Sequence, residues 1–219
     1  MAFPGAKTTV YEPGLKSPCI VRLPGAEKRG IVSRAMVSWV DLTPTILDFA
    51  GINPPVDEPE RNPDGTWYPL PDNHKRHGRS FLSVLEQERP EGWDEIYASH
   101  TFHEIQMYYP MRVVRNRNYK LIWNIAWPLP YPFASDLWAS ATWQHVYKQG
   151  KDAQYGSRTV QEYIQRSEFE LYDMRTDPWE SKNLAEDPEY AEILSKMKVR
   201  LREFQQDTAD PWMLKWKYE

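Results

Sequence analysis

The sequence predicts an α+β fold, a small antiparallel sheet packed by a C-terminal helix. Three observations carry this. Glu95-Ile96-Tyr97-Ala98-Ser99, Met111–Arg115, Tyr119–Trp123 and Glu170–Met174 are short runs rich in β-branched and aromatic residues, each bounded by turn formers. Asn116-Arg117-Asn118 between the second and third tolerates a tight turn, so these two form a hairpin. After the last run, Tyr190, Ile193, Leu194, Met197, Leu201 and Phe204 recur at steps of three and four. Such a stripe marks a helix that must bury one face on a sheet. Strands followed by a covering helix, without strand–helix alternation, place the chain in the α+β class.

The remaining elements follow in order. Pro18-Cys19-Ile20-Val21-Arg22-Leu23, closed by Pro24-Gly25, reads as a short buried strand and turn. Thr43-Pro44-Thr45 opens a helix, with Thr43 as cap and Pro44 in the first turn, and Gly51 suits the left-handed residue that ends it. From Pro54 to Arg79 the chain is Pro-, Asp- and Asn-rich and reads as an irregular excursion, and a helical rhythm returns over Gly78–Leu85. Residues 124–168 are dense in aromatics and prolines with weak periodicity, a long packed insertion. Asp187 caps the final helix ahead of Pro188.

Composition narrows the function. The 219 residues are 41% hydrophobic and 26% charged, as in a folded globular chain. A formal net charge of −4 supplies no basic field for nucleic acid. No run approaches the ~20 apolar residues that span a bilayer. Cys19 is the sole cysteine, so no internal disulfide forms. Ten Trp and 13 Tyr admit two readings, bulky packing beneath ordered loops or a surface on which sugar rings stack.

Three separated motifs resemble the sulfatase family of the alkaline-phosphatase-like superfamily. They are Lys7-Thr8-Thr9-Val10-Tyr11-Glu12-Pro13-Gly14; Val40-Asp41-Leu42-Thr43-Pro44-Thr45-Ile46-Leu47 with Ala50-Gly51; and Glu170-Leu171-Tyr172-Asp173 with Asp177-Pro178, Glu180 and Asn183-Leu184. Phe102-His103-Glu104, Tyr109-Pro110-Met111-Arg112 and Asp210-Pro211-Trp212 resemble the family's sulfamidase branch, the N-sulfoglucosamine sulfohydrolases. The resemblance implies the C-terminal subdomain of an alkaline-phosphatase-like α/β sulfatase. Residues 1–53 would end the catalytic α/β domain and 54–219 would form the C-terminal subdomain with its aromatic-rich insertion.

The resemblance also implies a hydrolase of sulfate esters or sulfamates in sulfated glycans, using Ca2+ and a formylglycine made from C/S-x-P/A-x-R. No Cys or Ser of this chain satisfies that pattern, since Cys19 is followed by Ile20, Val21 and Arg22. No metal ligand set is assigned to it either. Met1 then reads as an internal methionine, the partner being an N-terminal sulfatase segment that carries the nucleophile. The fragment alone is expected to be inactive, and sticky on the sheet face that the last helix leaves open. The complete family member would be periplasmic, lysosomal or secreted. Lys7 falls at the family's sulfate-binding cation and is the candidate catalytic residue. Its ammonium offers three donors to sulfate oxygens. Fixed in a dry pocket, such a group contributes on the order of 3–4 kcal/mol at the transition state. His103 and Glu104 are candidate sugar contacts, and Arg112 a candidate fork for a uronate carboxylate or, alternatively, a structural link in the hairpin. Two other functions remain open on these residues: phosphodiester or phosphonate hydrolysis in the same superfamily, and a non-catalytic carbohydrate-binding module.

Overall fold

A computed structural model of the chain describes residues 5–52, 77–104 and 107–217. They form two compact units, one drawn from residues 1–18 and 97–201, the other from 19–96 and 202–219. The excursion expected from Pro54 lies almost wholly outside the described residues.

The first unit is built on a four-stranded sheet in the order β1-β2-β3-β6. Its strands are β1 (Glu95–His103), β2 (Met107–Asn116), β3 (Tyr119–Asn124) and β6 (Phe169–Asp173). The pairs β2–β3 and β3–β6 are antiparallel, with Val113 opposite Ile122 and Leu121 opposite Leu171. The expected hairpin forms. The Asn116 carboxamide accepts from the backbone N–H groups of Asn118 and Tyr119, at 3.0 and 2.8 Å, which closes the turn.

Side chains alternate across a strand, so the sheet has two distinct faces. One carries Asn116, Tyr119 and Phe169. On it lies α6 (Ala191–Asp207), whose Met197 sulfur accepts from Asn116 and whose Lys198 ammonium sits 3.5 Å over the Phe169 ring. Ahead of the helix, Asp187 caps the 3-10 turn Pro188–Tyr190 by accepting from Glu189 N. This is the expected cover.

The opposite face was expected to stay open, and it does not. Met111, Val113, Ile122 and Tyr172 on that face are sealed in one core with Val10, Tyr11 and the insertion. The insertion folds as α3 (Ser135–Trp138), α4 (Ala141–Tyr147), the small hairpin β4 (Gln154–Tyr155) with β5 (Arg158–Thr159), and α5 (Val160–Ile164). Its rings pack on one another. Trp143 is fully buried against Phe133, Tyr147, Tyr155 and Tyr163, and Tyr131 meets Tyr109 edge-on at 5.1 Å. Much of the aromatic excess is therefore internal packing, while Trp39, Phe102, Trp127 and Trp179 are among the rings that stay exposed.

The segment ahead of the insertion core contributes α1 (Glu12–Leu15), a single turn. In the second unit, α2 (Leu42–Phe49) follows a 3-10 turn, Trp39–Asp41. The residue before α2 is Asp41 rather than Thr43; its carboxylate makes no capping bond to the helix and instead takes Ser38 N at 2.8 Å, closing the 3-10 turn, and Arg79 N at 2.9 Å. Thr45 is buried and accepts from Phe81 N, and Gly51 adopts φ 66° as expected. Gly78–Leu85 yields only the 3-10 turn Leu82–Val84, whose Val84 packs with Phe81 and Trp93. Residues 18–23 form no strand. Ile20 and Val21 are exposed and, among the described residues, no strand pairs with them, so an apolar run alone is a misleading signal.

Candidate functional site

The site is built on two irregular segments that meet at the start of α3. The first is the turn at Lys7. Thr8 has φ 66°, a left-handed conformation that a β-branched residue adopts only under constraint. The constraint is visible. Tyr131 Oη donates to the Thr8 carbonyl at 2.7 Å, the Thr8 hydroxyl donates to the Lys7 carbonyl at 2.6 Å, and Thr9 N closes the turn onto Ala6 O at 3.1 Å. Gly14 packs so closely that a Cβ there would lie 2.4 Å from Ala6 O. Held this way, the Lys7 ammonium lies 2.6 Å from Asp136 Oδ2.

The second segment is the end of β1. Glu104 also has a left-handed backbone, φ 55°. Its carboxylate accepts from the Ser135 backbone N–H at 3.2 Å and from the Ser135 hydroxyl at 3.3 Å, and His103 Nε2 lies 3.8 Å from Glu104 Oε1. Lys7 and Glu104 thus bind consecutive residues of α3, Asp136 and Ser135. Lys7, His103 and Glu104 come together although roughly a hundred residues separate them. All keep part of their surface in solvent, with side-chain exposures of 39% for Lys7, 41% for His103 and 30% for Glu104.

Arg112 takes a different place. It is buried, and its Nη1 donates to the carbonyls of Met111, at 2.9 Å, and His100, at 3.3 Å, which ties β2 to β1. Beneath it, burial holds the His100 imidazole below its ordinary range, with Nδ1 against Tyr109 O at 3.1 Å.

The electrostatics of the surface cluster are simple. The hydrogen bond from Lys7 holds the Asp136 carboxyl below the usual aspartate range. A lysine on Asp136 and a carboxylate on the preceding Ser135 can meet a ligand that presents an anion to Lys7 and hydroxyl or amino groups to Glu104. An exposed ion pair contributes about 0–1 kcal/mol, so an incoming anion can displace Asp136 at small cost.

Behind the cluster lies a buried charged layer that sequence reasoning did not anticipate. Tyr11 Oη donates to Glu170 Oε2 at 2.8 Å, Asn124 to Glu170 Oε1 at 2.6 Å, and Tyr172 to the same carboxylate. Burial drives the Tyr11 and Tyr172 phenols far above their ordinary range. Lys120, fully buried, pairs with Glu180 at 2.7 Å and with Glu12 at 3.3 Å, while Glu12 N donates to Glu180 at 2.6 Å. Arg166 is buried 3.5 Å over the Tyr131 ring. Ser135 and Asp136 also went unpredicted, since nothing in an aperiodic insertion marks one acid among 31 Asp and Glu.

Among the described residues, no group of three or more His, Cys, Asp or Glu side chains converges to hold a metal ion. The surface cluster offers two carboxylates already engaged by Lys7 and Ser135, and a hard cation wants six to eight oxygens. These residues do not fit calcium. Nor is any described helix long and apolar enough to cross a membrane. A shallow apolar cavity of about 220 Å³ in the second unit, lined by Leu42, Ile46, Phe49 and Phe81 among others, holds none of the candidate residues.

A small antiparallel sheet covered by a C-terminal helix, in a chain whose matched segments run through both, marks the C-terminal part of a sulphohydrolase. The chain belongs, more narrowly, to the family described as N-sulphoglucosamine sulphohydrolase, C-terminal, which matches residues 6–61 and 136–207. It is 36% identical over 216 residues to the N-sulphoglucosamine sulphohydrolase of Homo sapiens, covering 96% of this chain and 40% of the relative. It is 28% identical over 193 residues to an ulvan-active sulfatase of Formosa agariphila, covering 87% of this chain and 33% of that one. An N-acetylglucosamine-6-O-sulfatase of Bacteroides thetaiotaomicron is 26% identical over 211 residues, covering 93% and 27%. A protein solved in complex with its substrate D-glucosamine-2-N,6-O-disulfate shares the fold, with a TM-score of 0.56 and 24% identity over 88% of this chain and 28% of that one. The chain spans less than half the length of each of these relatives.

Proposed function

We propose that this chain is the sugar-facing part of a glycan sulfohydrolase, acting on an N- or O-sulfated amino sugar of the heparan type. One observation carries the reading: Lys7 and the His103-Glu104 pair, far apart in sequence, are seated side by side on Asp136 and Ser135. In this reading Lys7 leaves Asp136 to donate to the sulfate oxygens and stays on them as charge builds, while His103 and Glu104 hold hydroxyl or amino groups of the sugar. Arg112 acts one layer below, fixing β1 so that His103 and Glu104 face the ligand. The 36% identity to a sulphoglucosamine hydrolase supports the substrate class. The sulfur nucleophile and the calcium ligands would be contributed by polypeptide beyond these 219 residues. When present, a formylglycine beside calcium supplies the attack on sulfur.

The test is a titration of lysine-labelled protein with N-sulfoglucosamine, followed by NMR at the Lys7 ammonium, with glucosamine as the control sugar. Lys7 should respond to the sulfated sugar alone, and Lys7→Met should lose the response together with binding. Equal responses to both sugars, or sulfated-sugar binding that survives Lys7→Met, would refute the assignment.

A further inference from the structure

We propose that Tyr131 is the positioning residue for Lys7, acting through the backbone of Thr8. This rests on the role given to Lys7 above and adds the residue that sets its geometry.

The argument starts from an energetic oddity. A threonine at φ 66° is disfavoured because its branched Cβ crowds the backbone, and such a residue persists only where its surroundings over-determine it. The strained residue is the immediate neighbour of Lys7. Among the described residues one side chain from outside the turn grips it: Tyr131 Oη donates to Thr8 O at 2.7 Å and lies 3.2 Å from the Thr8 hydroxyl. Tyr131 is itself immobilised. It is buried, its ring meets Tyr109 at 5.1 Å and Tyr163 at 5.8 Å, and the Arg166 guanidinium lies 3.5 Å over its face. A rigid core residue therefore clamps a strained turn and sets the direction of the one exposed ammonium beside it. The same insertion supplies Asp136, five residues further on, which receives that ammonium. The insertion thus both sets the turn and supplies the cation's partner.

The test uses the intact chain without sugar, so it can fail or succeed independently of sulfate recognition. The Asp136 carboxyl titration and the Lys7 ammonium resonance are recorded by NMR for the parent, Tyr131→Phe, and Tyr131→Phe combined with Thr8→Gly. Phenylalanine keeps the ring packing and deletes only the grip. Glycine adopts positive φ without strain, so it should hold the turn with no clamp. The expected result is loss of the Lys7–Asp136 pair in Tyr131→Phe, with the Asp136 titration moving up toward that of an ordinary aspartate, and recovery of both signals in the double variant. A merely structural tyrosine would show no such rescue. Unchanged Lys7 and Asp136 signals in a folded Tyr131→Phe chain would overturn the proposal. So would a Tyr131→Phe chain that fails to fold and is not recovered by Thr8→Gly, because the hydroxyl would then be holding the core rather than the turn.

Discussion

Replacing Lys120 by methionine should cost about 3–5 kcal/mol at pH 7.5, the range for removing one partner of a buried ion pair. The structure sets the terms. The side chains of Lys120 and Glu180 are both 0% exposed and lie 2.7 Å apart, so removing the ammonium leaves a carboxylate buried with a single remaining donor, Glu12 N. Glu12 loses a partner too, although Arg115 stays 3.4 Å from it. The pH dependence supplies a sharper check. Burial already raises the Glu180 carboxyl above its ordinary range. A carboxyl with a raised folded-state pKa binds its proton more tightly when folded, so its destabilising effect appears as pH rises above the unfolded value and fades on acidification. Removing Lys120 takes away the cation that opposes this rise and extends the window upward. The deficit of Lys120→Met relative to the parent should therefore shrink between pH 7.5 and pH 5. Pairing it with Glu180→Gln should recover most of the loss at neutral pH. Urea unfolding followed by near-UV circular dichroism reads this directly, because the buried rings of the insertion share that unit. A deficit below about 1 kcal/mol, the scale of an exposed pair, would refute the reasoning, as would one that grows in acid.

Other expectations follow from the same geometry. Trp143→Ala, at a fully buried ring packed against five others, should cost about 3–5 kcal/mol in the same denaturation assay. Gly14→Ala places a Cβ 2.4 Å from Ala6 O and 2.5 Å from Thr9 O; it should cost about 1–3 kcal/mol and disturb the Lys7 ammonium resonance. Asp187→Ala removes the acceptor for Glu189 N at the head of the covering helix and should cost about 1 kcal/mol, seen as a lower midpoint with unchanged slope.

The regular parts of the first unit were legible because their signals are local. The β2–β3 turn is written in Asn116 and Asn118, and the covering helix in an apolar stripe that starts at Tyr190. Where one segment's fate depends on a remote partner, local reading failed. Residues 18–23 have the composition of a strand, yet a strand exists only by pairing, and Ile20 finds solvent instead. Thr43 has the chemistry of a cap, but Asp41 is positioned to bind Ser38 N and Arg79 N at once. The second sheet face is expected to be open because one helix covers only the first and the resemblance assigns the other to an N-terminal domain; the insertion fills it instead. Its packing comes from irregular ring-on-ring contacts around Trp143, which no period of 2 or 3.6 can announce. Lys7, His103 and Glu104 were found by resemblance. Their meeting point at Ser135 and Asp136 had no sequence signal of its own.

The buried charges explain why two of the motifs, separated by more than 150 residues, occur in one chain. Glu170 and Glu180 of the last strand motif look, in sequence, like surface acids. In the fold both turn inward: Glu170 receives Tyr11, and Glu180 receives the backbone N–H of Glu12. Glu180 needs φ 56° to do so, a backbone cost that isolated surface acids have no reason to bear. Tyr11 and Glu12 sit four and five residues beyond Lys7. The two motifs are therefore halves of a single device, in which the last strand and its following turn fix the far end of the Lys7 segment while Tyr131 fixes the near end. A cation that must meet an anion through a short, directed contact needs both ends held, since a misplacement of about 1 Å is enough to weaken such a contact severely. Under the role proposed for Lys7, the carboxylates of the last motif serve its geometry at a distance, and their loss should weaken sulfated-sugar binding, read by the same NMR titration, in chains that remain folded.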